Sequence, residues 1–195
     1  MVRGAPTQQR ILDAAERLFF GDGIAVTGMD ALAAEAGVSV VTIYHHFGSK
    51  DGVLQAVLTR RLTAWTTAWD TAIARAATPE DRLLAVFDAI ETFRSANGRT
   101  QWCCFLSTVS ERPSPTGADP DPVHALVRQD TAELVGRLGS LAEAADLTDP
   151  RATAATLLVI YNGVLSSLLR GEPEDPFQAA RVAARLVVSA ARRPG

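Results

Sequence analysis

Cysteine is almost absent from this 195-residue sequence, and the two that occur, Cys103 and Cys104, are adjacent. Adjacent cysteines supply neither a disulfide framework nor the spaced ligands of a zinc site. Their neighbours are apolar, so we interpret both as small buried or pocket-lining side chains; a redox-sensing thiol is the alternative. We therefore expect no disulfide-stapled fold, no metal site and no cofactor.

Long apolar runs are also missing. No segment approaches the roughly eighteen consecutive apolar residues of a membrane span, and the first six residues do not resemble a signal peptide. The composition, with 47% hydrophobic and 21% charged residues, is that of an ordinary globular protein. We expect a soluble, cytoplasmic protein with no membrane partner.

Strand signals are scarce, because no segment alternates polar and apolar residues for long and no hairpin turn joins β-branched runs. Helix signals are frequent. A capping Thr or Asp precedes a proline suited to the first helical position four times, at Thr78-Pro79, Asp121-Pro122, Asp149-Pro150 and Asp175-Pro176. Apolar residues recur every three or four positions between them. We predict an all-α fold of about nine helices, near residues 7–21, 28–36, 39–46, 50–76, 79–96, 101–111, 122–145, 150–170 and 176–192.

An excess of positive charge is missing too, since the formal net charge is −3 at pH 7. Eighteen of the nineteen basic residues are arginines, and Lys50 is the only lysine. A chain with this charge cannot bind nucleic acid by bulk electrostatics alone. Any such binding requires cations concentrated on one face, helped by backbone N–H groups at helix N-termini.

The segment from Gly37 to Lys50 has the pattern of a helix-turn-helix. Thr27, followed three residues later by Asp30, predicts a capping box at the start of the first helix. Gly37 can adopt the left-handed conformation that ends this helix, and Ser39 is suited to cap the second. Ile43 then fills the angle between the two helices.

These residues closely resemble the N-terminal DNA-binding domain of TetR-family transcriptional regulators. The resemblance covers about residues 7–55 and fixes spacing across three helices, whereas the rest is similar only in length and helical pattern. It is carried by Ile11-Leu12-Asp13-Ala14-Ala15-Glu16-Arg17-Leu18-Phe19, Gly23, Thr27, Leu32-Ala33, Ala36-Gly37-Val38-Ser39, Ile43-Tyr44, His46-Phe47, Ser49-Lys50 and Leu54.

The resemblance implies a homodimer whose two recognition helices enter successive major grooves of a pseudo-palindromic DNA operator. Residues that would face base edges are Val40, Val41 and Thr42, whereas Tyr44, His46 and Lys50 would hold phosphates. Thr27 would add a contact to the DNA backbone, and Ser39 and His45 complete the candidate set. A metal site at His45 and His46 is excluded, because adjacent side chains on a helix diverge.

The resemblance also implies a helix-turn-helix domain over residues 1–50 and a helical ligand-binding and dimerisation domain over 51–195. We expect dimerisation through the last two helices, because segment 150–170 is apolar on more than one face and therefore has two packing partners. A small hydrophobic or aromatic effector would lie in a largely apolar pocket. The candidate ligand-binding residues are Trp65, Trp69, Phe87, Ile90, Trp102, Phe105, His124 and Tyr161.

The favoured function is a ligand-responsive transcriptional repressor that a small effector releases from DNA. One alternative is a DNA-binding protein whose C-terminal domain serves only dimerisation or protein partners. Another is a small helical enzyme with a vestigial DNA-binding segment. The sequence contains no nucleophile–base set, no phosphate-binding loop and no Rossmann fingerprint, so we do not expect an enzyme.

Overall fold

A computed structural model describes residues 6–96, 103–112 and 121–193, and within these ranges it contains nine helices and no strand. The predicted all-α fold is confirmed. The helices are α1 (Thr7–Gly21), α2 (Met29–Ala36), α3 (Val40–Phe47), α4 (Lys50–Arg75), α5 (Pro79–Ala96), α6 (Cys104–Glu111), α7 (Pro122–Ala144), α8 (Pro150–Arg170) and α9 (Pro176–Ala190). Each observed boundary lies within two residues of its prediction, except that α6 begins at Cys104 and the predicted positions 101 and 102 lie outside the described ranges.

All four predicted Thr/Asp–Pro caps are present. Thr78 Oγ1 accepts a hydrogen bond from Asp81 N at 3.0 Å, and Asp81 Oδ2 accepts one from Thr78 N at 3.2 Å, which is a reciprocal capping box. The carboxylates of Asp121, Asp149 and Asp175 each accept a hydrogen bond from a backbone N–H in the first turn of the helix that follows. Side-chain capping therefore determines where α5, α7, α8 and α9 begin.

The start of α2 differs from the prediction. Gly28 is the residue before the helix and provides no side-chain cap. Thr27 is buried, and its hydroxyl donates a hydrogen bond to Gly23 O at 2.6 Å. The predicted capping box of Thr27 and Asp30 was wrong, because the Thr27 side chain stabilises the preceding loop instead.

The described residues fall into two compact units, and α4 and α7 each contribute residues to both. Unit 1 comprises the described residues of 1–62 and 103–128, and therefore contains α1, α2, α3 and α6. Unit 2 comprises the described residues of 63–102 and 129–195, and contains α5, α8 and α9. The division into functional domains at residue 50 stays a prediction.

Unit 2 is held together by apolar packing of α9 against α5 and α8, with ion pairs at its margin. Ala180, Ala184 and Val188 form the buried stripe of α9. Arg181 Nη1 lies 2.6 Å from Glu91 Oε2. The small side chains on this stripe let α9 approach its neighbours closely.

Helix α8 is apolar on more than one face, as predicted. Leu157 and Val164 are buried, whereas Val159 is 70% exposed. By length and composition alone α8 is capable of crossing a membrane, a test that core helices of soluble proteins also pass. Val159 and Leu169 are the exposed large apolar residues of this helix.

Candidate functional site

The turn between α2 and α3 has the predicted geometry. Gly37 has φ 63°, in the left-handed region that favours glycine. Val38 N donates a hydrogen bond to Ala33 O at 3.0 Å, and Gly37 N donates to Ala34 O at 3.2 Å. These two bonds form a Schellman motif, which ends α2 and redirects the chain into α3.

Helix α3 presents a broad exposed face. Ser39 Oγ accepts a hydrogen bond from Thr42 N at 3.1 Å, which confirms the predicted cap. Ile43 is fully buried, whereas Val41 is 76% exposed and Tyr44 is 49% exposed. The candidates His45 and His46 are also exposed, and Val40 and Thr42 are half-buried. The helix is therefore anchored by one apolar residue and leaves most of its surface available.

Most cations of unit 1 that the structure describes are engaged in internal ion pairs. Arg17 Nη2 lies 2.7 Å from Glu35 Oε1, which joins α1 to α2. Arg60 and Arg61 both contact Glu16, which joins α4 to α1. These ion pairs occupy part of the hydrogen-bonding capacity of the three guanidinium groups, and Arg61 is also buried.

Lys50 and Arg10 are the cations near the helix-turn-helix that lack an acidic partner among the described residues. Lys50 Nζ donates a hydrogen bond to Ala25 O at 3.4 Å and lies 6.0 Å from the centroid of the Phe19 ring. Arg10 Nη1 lies 3.6 Å from where a Cβ on Gly37 would be, so this guanidinium is at the turn. Our sequence reasoning missed Arg10, because nothing in its local sequence distinguishes it from Arg17.

Residues 11–57 match the family described as "Bacterial regulatory proteins, tetR family". A TetR-family transcriptional regulator from Streptomyces coelicolor is 25% identical in sequence, with a TM-score of 0.85, and the similarity covers 96% of both chains. The chain belongs to the TetR family of transcriptional regulators.

This TetR-family regulator is also similar to curated relatives over its N-terminal part. Over 89 residues it is 34% identical to the HTH-type transcriptional regulator SrpR of Pseudomonas putida. The matched segment makes up 46% of this chain and 42% of SrpR. Over 53 residues it is 40% identical to the HTH-type transcriptional regulator UidR of Escherichia coli. That segment makes up 27% of each protein. The chain thus matches less than half the length of both relatives.

In unit 2 of the TetR-family regulator, three of the predicted ligand-binding residues form an aromatic cluster. The Trp65 ring centroid lies 5.6 Å from that of Trp69, 5.7 Å from that of Phe93 and 6.0 Å from that of Tyr161. Each of Trp65, Trp69 and Tyr161 is buried. We call these four residues the aromatic cluster.

Four other described ligand candidates are not among the four residues of this cluster. Phe87 and Ile90 lie in unit 2 and are buried in α5, whereas Phe105 and His124 belong to unit 1. Trp102 lies outside the described residues. The seven described candidates are therefore divided between the two units, five in unit 2 and two in unit 1.

In unit 1, His124 is held by a carboxylate network. Its Nδ1 lies 2.9 Å from Asp121 Oδ2, and Arg112 Nη2 donates to the same oxygen at 3.1 Å. Burial alone would raise the pKa of Asp121, but hydrogen bonds from His124, Arg112 and Val123 outweigh it and hold this pKa below its usual range. Asp121 is therefore ionised near neutral pH and stabilises the first turn of α7.

A carboxyl that our sequence reasoning missed is Asp130 in α7, which lies in unit 2. Burial, and then repulsion from Glu133, raise the pKa of Asp130 to about 7. None of the described residues forms a hydrogen bond or an ion pair with its side chain. No sequence signal identified it, because one aspartate in an amphipathic helix is normally read as a solvated residue.

An open cleft of about 360 Å³ also lies in unit 2, between the end of α4, α5 and α9. Its lining includes Arg75, Arg181 and Arg185, and none of the predicted ligand-binding residues. Charged and apolar side chains line it in about equal share, and it contains no residue of the aromatic cluster. Among the described residues, no group of three or more His, Cys, Asp or Glu side chains is arranged to hold a metal ion.

Proposed function

We propose that this TetR-family regulator is a ligand-responsive repressor that binds a pseudo-palindromic operator as a homodimer. The observation that carries the proposal is the exposed face of α3, which is presented by a capped, glycine-terminated turn. An α-helix of this kind fits the major groove of B-DNA. A protein with this role acts on chromosomal DNA in the cytoplasm and has no enzymatic activity.

We assign base contacts to Val40, Val41 and Thr42. Valine side chains favour apolar contact with the 5-methyl group of thymine over bidentate hydrogen bonding, so the operator is expected to be read partly through T-rich steps and DNA shape. Ser39 and His45 flank this surface. The half-buried positions of Val40 and Thr42 favour Val41 as the principal reading residue.

Phosphate contacts are assigned to Tyr44, His46 and Lys50, with Arg10 added from its position at the turn. Such contacts fix the register of the protein on the duplex and carry little sequence information. Thr27 contributes less than expected, because its hydroxyl hydrogen is already donated to Gly23 O. A phosphate contact from that hydroxyl requires this hydrogen bond to break.

Dimerisation through α8 and α9 is supported by their exposed apolar side chains. Val159 and Leu169 lie on α8, and Val182 and Leu186 lie on α9, with Leu186 67% exposed. Soluble proteins seldom leave such residues together in water without a partner. A second copy of the chain would cover them through an isologous interface.

For the effector we propose the interior of unit 2 next to the aromatic cluster. Trp65, Trp69 and Tyr161 offer flat apolar surfaces that suit a hydrophobic or aromatic small molecule. In unit 1, the chain of contacts His124–Asp121–Arg112–Asp51 connects the first turn of α7 with the first turn of α4. This chain is a physical route by which a shift of α7 reaches Lys50, the neighbour of Asp51.

The alternative, a C-terminal domain that serves only dimerisation or protein partners, is favoured by one observation. Phe87 and Ile90 are almost completely buried, and Trp69 is only 2% exposed, as is typical of core residues. Tryptophan fluorescence distinguishes the two functions. A small molecule that occupies unit 2 changes the emission of Trp65 and Trp69, whereas a purely structural domain gives no response to any member of an aromatic compound panel.

The test of the main proposal is binding to the DNA upstream of the protein's own gene. We expect a footprint over two half-sites related by a dyad, a complex with two protein chains, and release by an aromatic compound. Deleting the gene should raise transcription from that promoter. Lower transcription after the deletion would identify an activator and contradict repression.

A further inference from the structure

The inward face of α7 contains one carboxyl. Asp130 lies one turn before Leu134 and two turns before Leu138, and both leucines are buried. Residues spaced by four along a helix share a face, so Asp130 belongs to the apolar stripe that packs into unit 2. A carboxyl in this position is unusual, because charged groups are placed on buried stripes only with a partner.

The same face of α7 meets the aromatic cluster. Arg137, seven residues after Asp130, lies with its guanidinium carbon 4.6 Å from the centroid of the Trp69 ring and forms an ion pair with Asp70. Seven residues are two helical turns, or about 10 Å along the axis. Asp130 is therefore on the side of α7 that faces α4, the helix that contains Trp65 and Trp69. Arg137 is already paired with Asp70.

Asp130 is desolvated and yet accessible. Its carboxyl is surrounded by enough protein for burial to raise its pKa to about 7, although the residue keeps part of its surface accessible. A charge in such a place is costly unless an opposite charge accompanies it.

A second polar group of unit 2 also lacks a partner. The indole N–H of Trp69 is buried, and no acceptor lies within hydrogen-bond distance among the described residues. Buried N–H groups are nearly always satisfied by protein, water or ligand. Among its described residues, unit 2 therefore contains an acidic group and a donor without partners, on two helices that meet at Arg137 and Trp69.

We propose that Asp130 is the counter-ion for an effector that carries one positive charge on an apolar or aromatic body. This inference rests on the proposed ligand-responsive function and names the chemical class of its ligand. The cation supplies the partner that Asp130 lacks among the described residues. The rings of the aromatic cluster pack against the apolar body and attract the charge through their faces. It adds a positive charge to the hydrophobic or aromatic effector expected from the sequence.

The experiment compares two probes of nearly equal size and apolarity but opposite charge, tetraphenylphosphonium and tetraphenylborate. Binding to the full-length protein is measured at pH 8 by tryptophan quenching and calorimetry. Benzyltrimethylammonium serves as a smaller cation. The variants are Asp130→Asn, which keeps the shape and removes the charge, Asp130→Glu, which keeps the charge, and Glu143→Gln, which removes an exposed carboxylate from the same helix.

We expect a lipophilic cation to bind at least about tenfold more tightly than tetraphenylborate, and Asp130→Asn to abolish this preference. Asp130→Glu should restore most of it, and Glu143→Gln should leave it unchanged. Equal affinity of wild type and Asp130→Asn for the cations overturns the inference. Failure of both cations to bind overturns it as well.

Operator binding separates this inference from the proposed function. If uncharged aromatic compounds release the wild-type protein and Asp130→Asn from DNA equally, the regulator is ligand-responsive and the charge assignment is wrong. If no compound of any charge changes operator affinity, the ligand-responsive function itself fails. A cation that releases wild type from DNA, but does not release Asp130→Asn, supports both the ligand-responsive function and the role of Asp130 as counter-ion.

Discussion

Arg112 donates two hydrogen bonds to the carboxylate of Asp51, from Nη1 to Oδ1 at 2.7 Å and from Nη2 to Oδ2 at 3.1 Å. Paired contacts of this kind hold both groups in one plane and resist rotation. They attach the residue that follows α6 to the first turn of α4. The carboxylate of Glu111, at the end of α6, accepts a hydrogen bond from Ala25 N at 2.9 Å, so this region also holds the loop before α2.

Asp121 should contribute to stability in a pH-dependent way. Asp121→Asn keeps an oxygen for the cap of α7 but removes the charge that Arg112 and His124 contact. We expect the free energy of unfolding to fall by about 1–3 kcal/mol at pH 7. Because the folded-state pKa of Asp121 is below its unfolded value, its contribution is complete above that value and is lost as the pH falls through the folded pKa.

Urea unfolding at pH 7, 5, 4 and 3, followed by circular dichroism, measures this effect. The difference between wild type and Asp121→Asn should begin to narrow towards pH 4. Asp22→Asn, at an exposed carboxylate with no side-chain partner among the described residues, is the control and should change little. A difference that stays constant down to pH 3 would show that the charge of Asp121 is not the cause.

Lys50 should contribute one phosphate contact. Lys50→Ala is expected to reduce the slope of log affinity against log salt concentration by about one unit, because one fewer counterion is released. Arg10→Ala should reduce the slope by a similar amount if the Arg10 guanidinium contacts a DNA phosphate. Fluorescence anisotropy across 50–300 mM salt measures both, with the exposed Arg82 of α5 replaced by alanine as the control. An unchanged slope for Lys50→Ala contradicts the phosphate assignment.

Val41 should read a thymine methyl group. Replacing the contacted thymine by uracil removes only that methyl group, and we expect it to weaken wild-type binding by about fivefold, or about 1 kcal/mol. Val41→Ala should weaken binding to the thymine operator by a similar factor and make the protein indifferent to the uracil substitution. Equal sensitivity of both proteins to uracil at every position would exclude direct reading by Val41.

Gly52 should be intolerant of any side chain. A Cβ at this position would lie far inside van der Waals contact with Phe47 O, the last residue of α3. Gly52→Ala therefore requires the end of α3 and the start of α4 to separate. We expect a loss of at least about 2 kcal/mol in unfolding free energy, together with weaker operator binding. Gly136→Ala, at a position in α7 with open space, is the matched control. Its stability should match or exceed that of wild type, because alanine favours a helix.

The helices were predictable because the caps are local. A side-chain oxygen of Asp149 or Asp175 bonds an N–H three residues away, and a proline fixes the next φ angle. Thr27 misled the prediction for a related reason. Its hydroxyl had a competing local acceptor, Gly23 O, in a loop whose shape is not encoded by spacing alone.

The site was less predictable, because it depends on which residues lack a partner. Arg10 and Arg17 look alike in sequence, and only the position of Glu35 relative to Arg17 distinguishes them. In the same way Asp130 becomes unusual only once Leu134 and Leu138 are seen to be buried. Pairing over long sequence distances is a property of the folded chain.

The internal pairing of Arg17, Arg60 and Arg61 also affects how the protein searches a chromosome. Nonspecific binding to DNA depends on the number of cations free to displace counterions, and the described residues of unit 1 leave few of them. The protein should therefore spend little time on random sequence and remain mostly in free solution between operator encounters. Under the proposed function, low background occupancy leaves a larger free pool for the effector to reach.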